Sequence, residues 1–172
     1  HSSTGVPSSG RSTRPDGSEP DRLQPLPAPC DLPRAMLVEL SLQDLALFER
    51  AGIEFGAGLN AVTGETGAGK SLVVDALELL LGSRAKAAMV RKGADRARIE
   101  GRFLLPLEGY GEVVAAWLAE HLPEALEEDA DGGELELILA RTIGRDGRSR
   151  AHVNHRPVTQ KLLRELAGRM VE

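Results

Sequence analysis

Eight residues restrict this chain more than any other stretch. Gly64-Glu65-Thr66-Gly67-Ala68-Gly69-Lys70-Ser71 satisfies G-x-x-x-x-G-K-[ST] at every defined position. Its context restricts the fold further. The apolar run Leu59–Thr63 predicts a strand before it, and the periodicity after it predicts a helix from about Gly69 to Leu81, with Gly82 as the stop. A strand, a glycine-rich loop and a helix in that order form a phosphate cradle. Glycines at 64, 67 and 69 let successive N–H groups turn inward, and the helix start adds its positive dipole end. In this pattern Lys70 neutralises β- and γ-phosphate oxygens and Ser71 offers its hydroxyl to Mg²⁺. The whole run Gly64, Glu65, Thr66, Gly67, Ala68, Gly69, Lys70 and Ser71 is the candidate site for ATP. The plain alternative is a turn that happens to end in Lys-Ser, and pattern and context together outweigh it.

A nucleotide hydrolase also needs an acidic residue at the end of an apolar strand to hold the metal. Val73-Val74-Asp75 has that form but falls on the helix after the loop, which makes Asp75 a helix-surface residue. No other apolar run ends in Asp, and with Asn60 and Asn154 the only asparagines there is no guanine-reading N-K-x-D. The cradle therefore stands without a second half, and no residue can be assigned as catalytic base.

The other elements follow from alternation and turn chemistry. Strands are expected at Met36–Leu42, Gly52–Phe55, Arg98–Leu105, Leu135–Ile143 and Ser149–Asn154. Gly56-Ala57-Gly58 is expected to join Gly52–Phe55 to Leu59–Thr63 as a hairpin-like link, and Gly144–Gly147 to turn the last strand pair. Helices are expected over Tyr110–Glu120, with Val113, Val114, Trp117 and Leu118 packed on the sheet, and over Thr159–Ala167, capped by Gly168. Glu127–Gly133 reads as an acidic loop. Seven of the ten prolines lie in residues 1–35, which read as a disordered extension or a vector-derived segment outside the fold. The lone Cys30 lies there, so no internal disulfide can form, and no apolar run is long enough for a membrane span.

The formal charge of −5 argues weakly against nucleic acid, but the charge is arranged in blocks. Residues 82–105 carry seven basic and two acidic groups; residues 106–140 carry ten acidic and no basic ones. Arg84, Lys86, Arg91, Lys92, Arg96 and Arg98 are candidate DNA contacts, against the reading of an ordinary solvated loop and strand edge. Arg141, Arg145, Arg148 and Arg150 are expected to pair with the acidic block rather than face DNA. His152 and His155 are expected on one side of a strand; with no cysteine nearby they fall short of a zinc site.

Several of these runs resemble one family. Met36–Phe48 resembles the opening strand of the heads of SMC, RecF and RecN proteins, where a short meander leads into the phosphate loop. Gly58–Ser71, Leu80–Arg84, Val90–Ala94, Arg148–Asn154 and Arg156–Thr159 are similar to the RecN form, so the resemblance covers residues 36–172 nearly continuously. Position 155 is His where the family's hairpin would carry Gly. The resemblance implies an α/β P-loop NTPase of the ABC/SMC head type, N-terminal lobe, with mixed and antiparallel strands, over residues 36–172. It also implies a nucleoid-associated cytoplasmic ATPase acting in DNA double-strand break repair. Its partners would be DNA, the C-terminal lobe of the same head and a second head protomer across sandwiched ATP and Mg²⁺, with no membrane. The Gln-bearing loop, coiled coil, signature motif, Walker B residue and switch His of the family would lie in later sequence, so these residues alone are expected to bind ATP without turning it over. Two other readings compete: a small P-loop phosphotransferase with the Arg-rich blocks as its clamp, and a nucleotide-gated interaction module with no hydrolysis.

Overall fold

The computed structural model describes residues 1, 35–57, 60–61, 68–126 and 133–170. Among these, the strands are β1 (Met36–Leu45), β2 (Phe48–Glu54), β3 (Arg96–Pro106), β4 (Glu134–Gly144), β5 (Ser149–Val153) and β6 (Arg156–Val158). The longer helices are α1 (Ala68–Leu80), α2 (Glu112–His121) and α3 (Gln160–Met170). The strands form one sheet in the order β2-β1-β3-β4-β5-β6, and each neighbouring pair is antiparallel.

The sheet has one dry face and one wet one, set by strict alternation. Along β3, Ala97, Ile99, Phe103 and Leu105 are buried, while Arg96 and Arg98 are exposed. Along β4, Leu135, Leu137, Leu139 and Ile143 point into the same core. A bulge in β1 between Leu37 and Glu39 shifts its register on β3, after which Leu40 and Leu42 point inward.

Helix α1 buries Leu72, Val73, Ala76, Leu79 and Leu80, a stripe at helical spacing. It can approach the sheet because β3 carries Gly101 at the crossing. A Cβ there would sit 2.7 Å from Leu80 Cδ1. Helix α3 adds Leu163, Leu166, Ala167 and Met170, and α2 adds Val114, Trp117 and Leu118. The Trp117 ring stacks on His121 at 4.7 Å between centroids, and Arg169 lies 5.2 Å from its centre.

The C-terminus of α1 is tied down by side chains from far along the chain. Gly82 ends it with φ +97°, the conformation glycine adopts freely. Arg141 of β4, 1% exposed, donates from Nη1 to the carbonyls of Leu79 (2.7 Å) and Ser83 (3.0 Å). Its Nη2 donates to Ser149 Oγ at 2.9 Å. Arg164 Nε and Gln160 Nε2, both on α3, donate to the Gly82 carbonyl at 2.8 and 3.1 Å. Burial, and secondarily the charge of Arg164, draw the Arg141 pKa below the usual arginine value. Arginine's distance from neutrality keeps it a cation.

Several expectations need correction. A hairpin that the sequence reading does not include joins β1 to β2 through Ala46-Leu47, with Leu45 paired to Phe48, and of the expected Gly56–Gly58 link only Gly56 and Ala57 are described. Asp44 and Ala46 carry φ of 49° there, without a glycine to announce the turn. β2 accordingly starts four residues earlier than Gly52. Gly168 does not cap α3, which runs through it because Ala167 and Met170 on either side are buried. Val113 is 54% exposed and does not join the packed face of α2. His152 and His155 do not share a strand face. β5 ends at Val153, and Asn154-His155 form a two-residue turn with φ of 43° and 65° that closes the Val153–Arg156 pair. Both φ values are positive, as in a type I′ turn, where Asn-Gly is the favoured sequence. Asn154 secures this turn: its Oδ1 accepts from Ile138 N at 2.7 Å and its Nδ2 donates to Ala125 O at 2.8 Å. Of the expected strand Leu59–Thr63, only Asn60 and Ala61 are described, and neither is in a strand. The expected disordered segment, with Cys30, and the acidic loop Glu127–Gly133 lie outside the described residues except at His1, Ala35 and Gly133.

Two substitutions test the cap and the turn in opposite directions. Arg141→Met leaves the Leu79 and Ser83 carbonyls without their donor and should cost about 3 kcal/mol. Urea unfolding would read this as a lower midpoint at unchanged slope. His155→Gly relieves a non-glycine residue in the left-handed region and should raise stability by about 1 kcal/mol in the same measurement.

Candidate nucleotide site

The site is built on the first turn of α1. Among the described residues of the motif, Gly69 is half-buried while Lys70 and Ser71 are exposed. Gly64, Glu65, Thr66 and Gly67 lie outside the described residues, and of Ala68 only the backbone is described. The first turn of α1 carries no acidic side chain. The N–H groups that start a helix, and its partial positive charge, therefore meet no carboxylate from their own turn. That is the chemistry a phosphate requires, and Lys70 and Ser71 place a cation and a hydroxyl beside it. These residues fit a magnesium-bound nucleotide.

The chain entering the site is restrained at two points. Asn60 accepts from Gly56 N at 2.9 Å through Oδ1 and donates to Gly56 O at 2.8 Å through Nδ2. This two-bond clamp ties the segment before the phosphate loop to the end of β2. Phe48, just after the β1–β2 hairpin, lies beside the start of α1: its Cζ is 3.7 Å from where a Gly69 Cβ would be. The segment Ala87–Arg91 is then stitched to that hairpin, with Ala46 N donating to Met89 O (2.7 Å) and Arg91 N to Asp44 O (2.8 Å). One continuous patch of backbone thus frames the start of the phosphate helix. No local pattern announces the Ala87–Arg91 part of it, because the hydrogen bonds there link residues more than forty positions apart.

Val73-Val74-Asp75 lies within α1, with Val73 in the core and Val74 55% exposed. This is the helix placement read from the sequence, and it does not present Asp75 at the end of a strand. No group of three or more His, Cys, Asp or Glu side chains that could hold a metal occurs among the described residues.

The six basic candidates for DNA contact are not brought together. Arg84 and Lys86 are exposed just past the end of α1. Arg91 is engaged by Glu49 at 3.0 Å and Asp44 at 3.8 Å. Lys92 is exposed before the turn at Gly93, and Arg96 and Arg98 project from the open face of the sheet. Four acids of the acidic block, Glu127, Glu128, Asp129 and Asp131, lie outside the described residues; among the described ones, no ion pair joins the arginines around the β4–β5 hairpin to this block. Arg141 caps α1 through backbone carbonyls, and Arg148 pairs with Asp146 inside its own turn at 3.5 Å. It is Arg102 of β3 that reaches this block, through Glu136 at 3.5 Å, and it also approaches Glu39 at 3.7 Å.

Known proteins share both the sequence and the fold around this site. An AAA domain model matches residues 39–113. The DNA repair protein RecN of Streptomyces coelicolor is 42% identical over 132 residues, which is 77% of this chain and 21% of that protein. The chain thus spans about a fifth of the length of this relative. Among solved structures, one described as structural biochemistry of ATP-driven dimerization and DNA stimulated activation of SMC ATPases superposes with a TM-score of 0.55. It is 20% identical, and the match covers 78% of each chain. The Smc head domain of Pyrococcus furiosus, solved with the C-terminal domain of ScpA, gives 0.58 at 20% identity over 79% of this chain and 33% of that one. The fold is that of the N-terminal lobe of an ABC/SMC-type P-loop ATPase head.

The helix placement of Asp75 carries a test. Asp75→Ala should leave nucleotide affinity within about twofold, read by titration of a fluorescent ATP analogue with and without Mg²⁺; a metal-holding carboxylate would instead lose the magnesium dependence.

Proposed function

From a chain that resembles bacterial RecN over 80% of its length, we propose that residues 36–172 are the ATP-binding half of an SMC-like ATPase head acting in repair of DNA double-strand breaks. The observation that carries this reading is the first turn of α1, which exposes Lys70 and Ser71 and holds no acid, in a sequence that matches RecN proteins along the same region. Lys70 would hold the β- and γ-phosphates, Ser71 the magnesium ion, and the backbone from Gly64 to Gly69 the remaining phosphate oxygens. A bound nucleotide with its magnesium would bring its negative charge to Lys70 and the start of α1.

A complete ATPase of this kind also needs an acidic metal residue and a group to position water. Neither can be named among these residues. The chain therefore binds ATP, and hydrolysis requires the C-terminal lobe and a second head closing over the nucleotide. ATP-driven dimerization and DNA stimulated activation, described for the SMC ATPases that share this fold, support that arrangement. The phosphotransferase alternative finds no support in the relatives or the fold neighbours. No helix of the described residues is long and apolar enough to cross a membrane.

The test is direct. The purified chain should bind a fluorescent ATP analogue, and Lys70→Ala should weaken that binding at least tenfold while leaving the thermal unfolding midpoint unchanged. Phosphate release by the chain alone should stay at the buffer rate. Steady turnover that disappears in Lys70→Ala would show a self-sufficient enzyme and overturn the half-head reading.

A further inference from the structure

The open face of the sheet carries a line of side chains that sequence spacing does not reveal. Arg50 pairs with Gln43, Gln43 with Arg98, Arg98 with Thr142, and Thr142 with Arg150. Residues directly opposite in neighbouring strands project to the same face. These five therefore form one row across β2, β1, β3, β4 and β5. At a strand spacing of about 4.8 Å the row runs roughly 19 Å, with an arginine at each end and one in the middle. All but Thr142 are exposed, and Thr142 is half-buried.

The surroundings of the row are polarised. One step toward the β1–β2 and β4–β5 turns lie Arg96, opposite Gly144, and the exposed Lys92, Arg145 and Arg148. The acids at this end are largely engaged: Asp44 and Glu49 by Arg91, Asp146 by Arg148, and Glu100 by Arg98 at 2.5 Å. Among the described residues that leaves Asp95 against Arg50, Arg96, Arg150, Lys92 and Arg145. At the opposite end of the face the balance reverses: Glu39 and Glu136 share Arg102, and Glu54 stands opposite Glu39. A cleft of about 600 Å³, lined by Gln43, Asp44, Arg96, Arg98 and Thr142 among others, runs beside the row.

We infer that this row is a track for the phosphate backbone of duplex DNA, lying across the strands rather than along them. The choice of DNA among polyanions rests on the reading of the chain as part of a DNA-repair head. Arg50 and Arg150 supply the charge, Arg98 divides its own between Glu100 and the track, and Gln43 and Thr142 between them supply uncharged donors, the mixture that phosphate contacts use. A duplex carries one charge per about 1.7 Å of axis with both strands counted, so roughly eleven phosphates fall within about 19 Å, and those on the near side face the three arginines. The row holds no aromatic side chain on which an unstacked base could lie, which favours a duplex over a single strand. Of the six basic candidates the row keeps Arg98, with Arg96 at its margin, and it adds Arg50 and Arg150, which lie outside the basic block.

Anisotropy titration of a fluorescein-labelled 30-base-pair duplex with the whole chain, from 20 to 200 mM KCl, tests this. Arg50→Gln/Arg98→Gln/Arg150→Gln should weaken binding at least tenfold at 50 mM and reduce the slope of log K against log salt by about 2 to 3. Lys161→Gln, on α3 and away from this face, should change neither. The single substitutions Arg50→Gln and Arg150→Gln should each cost two- to fivefold, which covers a triple variant that fails to fold. Wild-type chain that binds no duplex at 20 mM, or a folded triple variant within twofold of wild type, overturns the track. Fluorescent ATP binding, measured on the same samples, separates the two readings. If nucleotide binds while the track fails, the half-head reading stands; if the track holds and no nucleotide binds, that reading fails and the surface survives.

Discussion

The guanidinium of Arg141 organises this lobe. A helix ends with carbonyls that have no partner within the helix, and a negative dipole end that favours a cation. Helix α1 has no basic residue in its own last turn. The missing charge arrives from β4, sixty-two residues beyond the carbonyl of Leu79 that it caps. Arg164 and Gln160 complete the cap from α3 through the Gly82 carbonyl. A buried arginine with no carboxylate partner is expensive to desolvate, and hydrogen bonds to a charged donor offset that cost at about 1.5–3 kcal/mol each. Here three such bonds converge on one guanidinium, leaving only Nε without a partner. The result fixes α1 against both the sheet and α3. Because the helix is a stiff rod, fixing its far end also fixes the direction in which Lys70 and Ser71 face.

The parts of the fold that were legible in sequence are those where a local rule and the tertiary environment agree. The alternation in Ala97–Leu105 and Leu135–Ile143 marks strands with one dry face, and both strands lie where that alternation puts them. Gly82 ends α1 because a left-handed residue is needed there and glycine supplies it. The failures arise where a non-local interaction takes over. Ala46-Leu47 gives no turn signal, and its turn is held by backbone bonds to Met89 and Arg91. Gly168 looks like a stop, but the burial of Leu166, Ala167 and Met170 outweighs the roughly 1 kcal/mol that a glycine costs inside a helix. The Asn154-His155 turn is a third variant: it holds no glycine, yet the backbone keeps the left-handed geometry because the Asn154 amide is bonded to two other segments.

The candidate site divides along the same line. Lys70 and Ser71 can be proposed from sequence because the motif is contiguous and its chemistry depends on neighbours in sequence, and the structure adds that both are exposed on the first turn of α1. The charge blocks were not legible, because a sheet redistributes charge by register. The basic stretch 82–105 is split among the end of α1, a hairpin ion pair and the open face. Among the described residues, the acidic stretch that follows meets Arg102 through the Glu136 carboxylate and Arg156 through the Glu124 carbonyl. Arg141 was grouped with its hairpin neighbours by proximity in sequence, although inward alternation at 139, 141 and 143 already set it apart from Arg148 and Arg150.

That alternation also relates the two faces of the lobe. Consecutive residues of β4 serve opposite sides: Arg141 turns inward to cap the phosphate helix, and Thr142 turns outward between Arg98 and Arg150. On β3, Gly101 admits α1 at the dry face three residues from Arg98 on the wet one. Close packing between α1 and these strands leaves few ways for one to move without the other. A lobe built this way moves as a unit, so a change at the phosphate helix would reach the outer face as rigid-body motion of the whole sheet. Coupling between nucleotide and any ligand of that face would then depend on what the lobe closes against, and not on rearrangement within it.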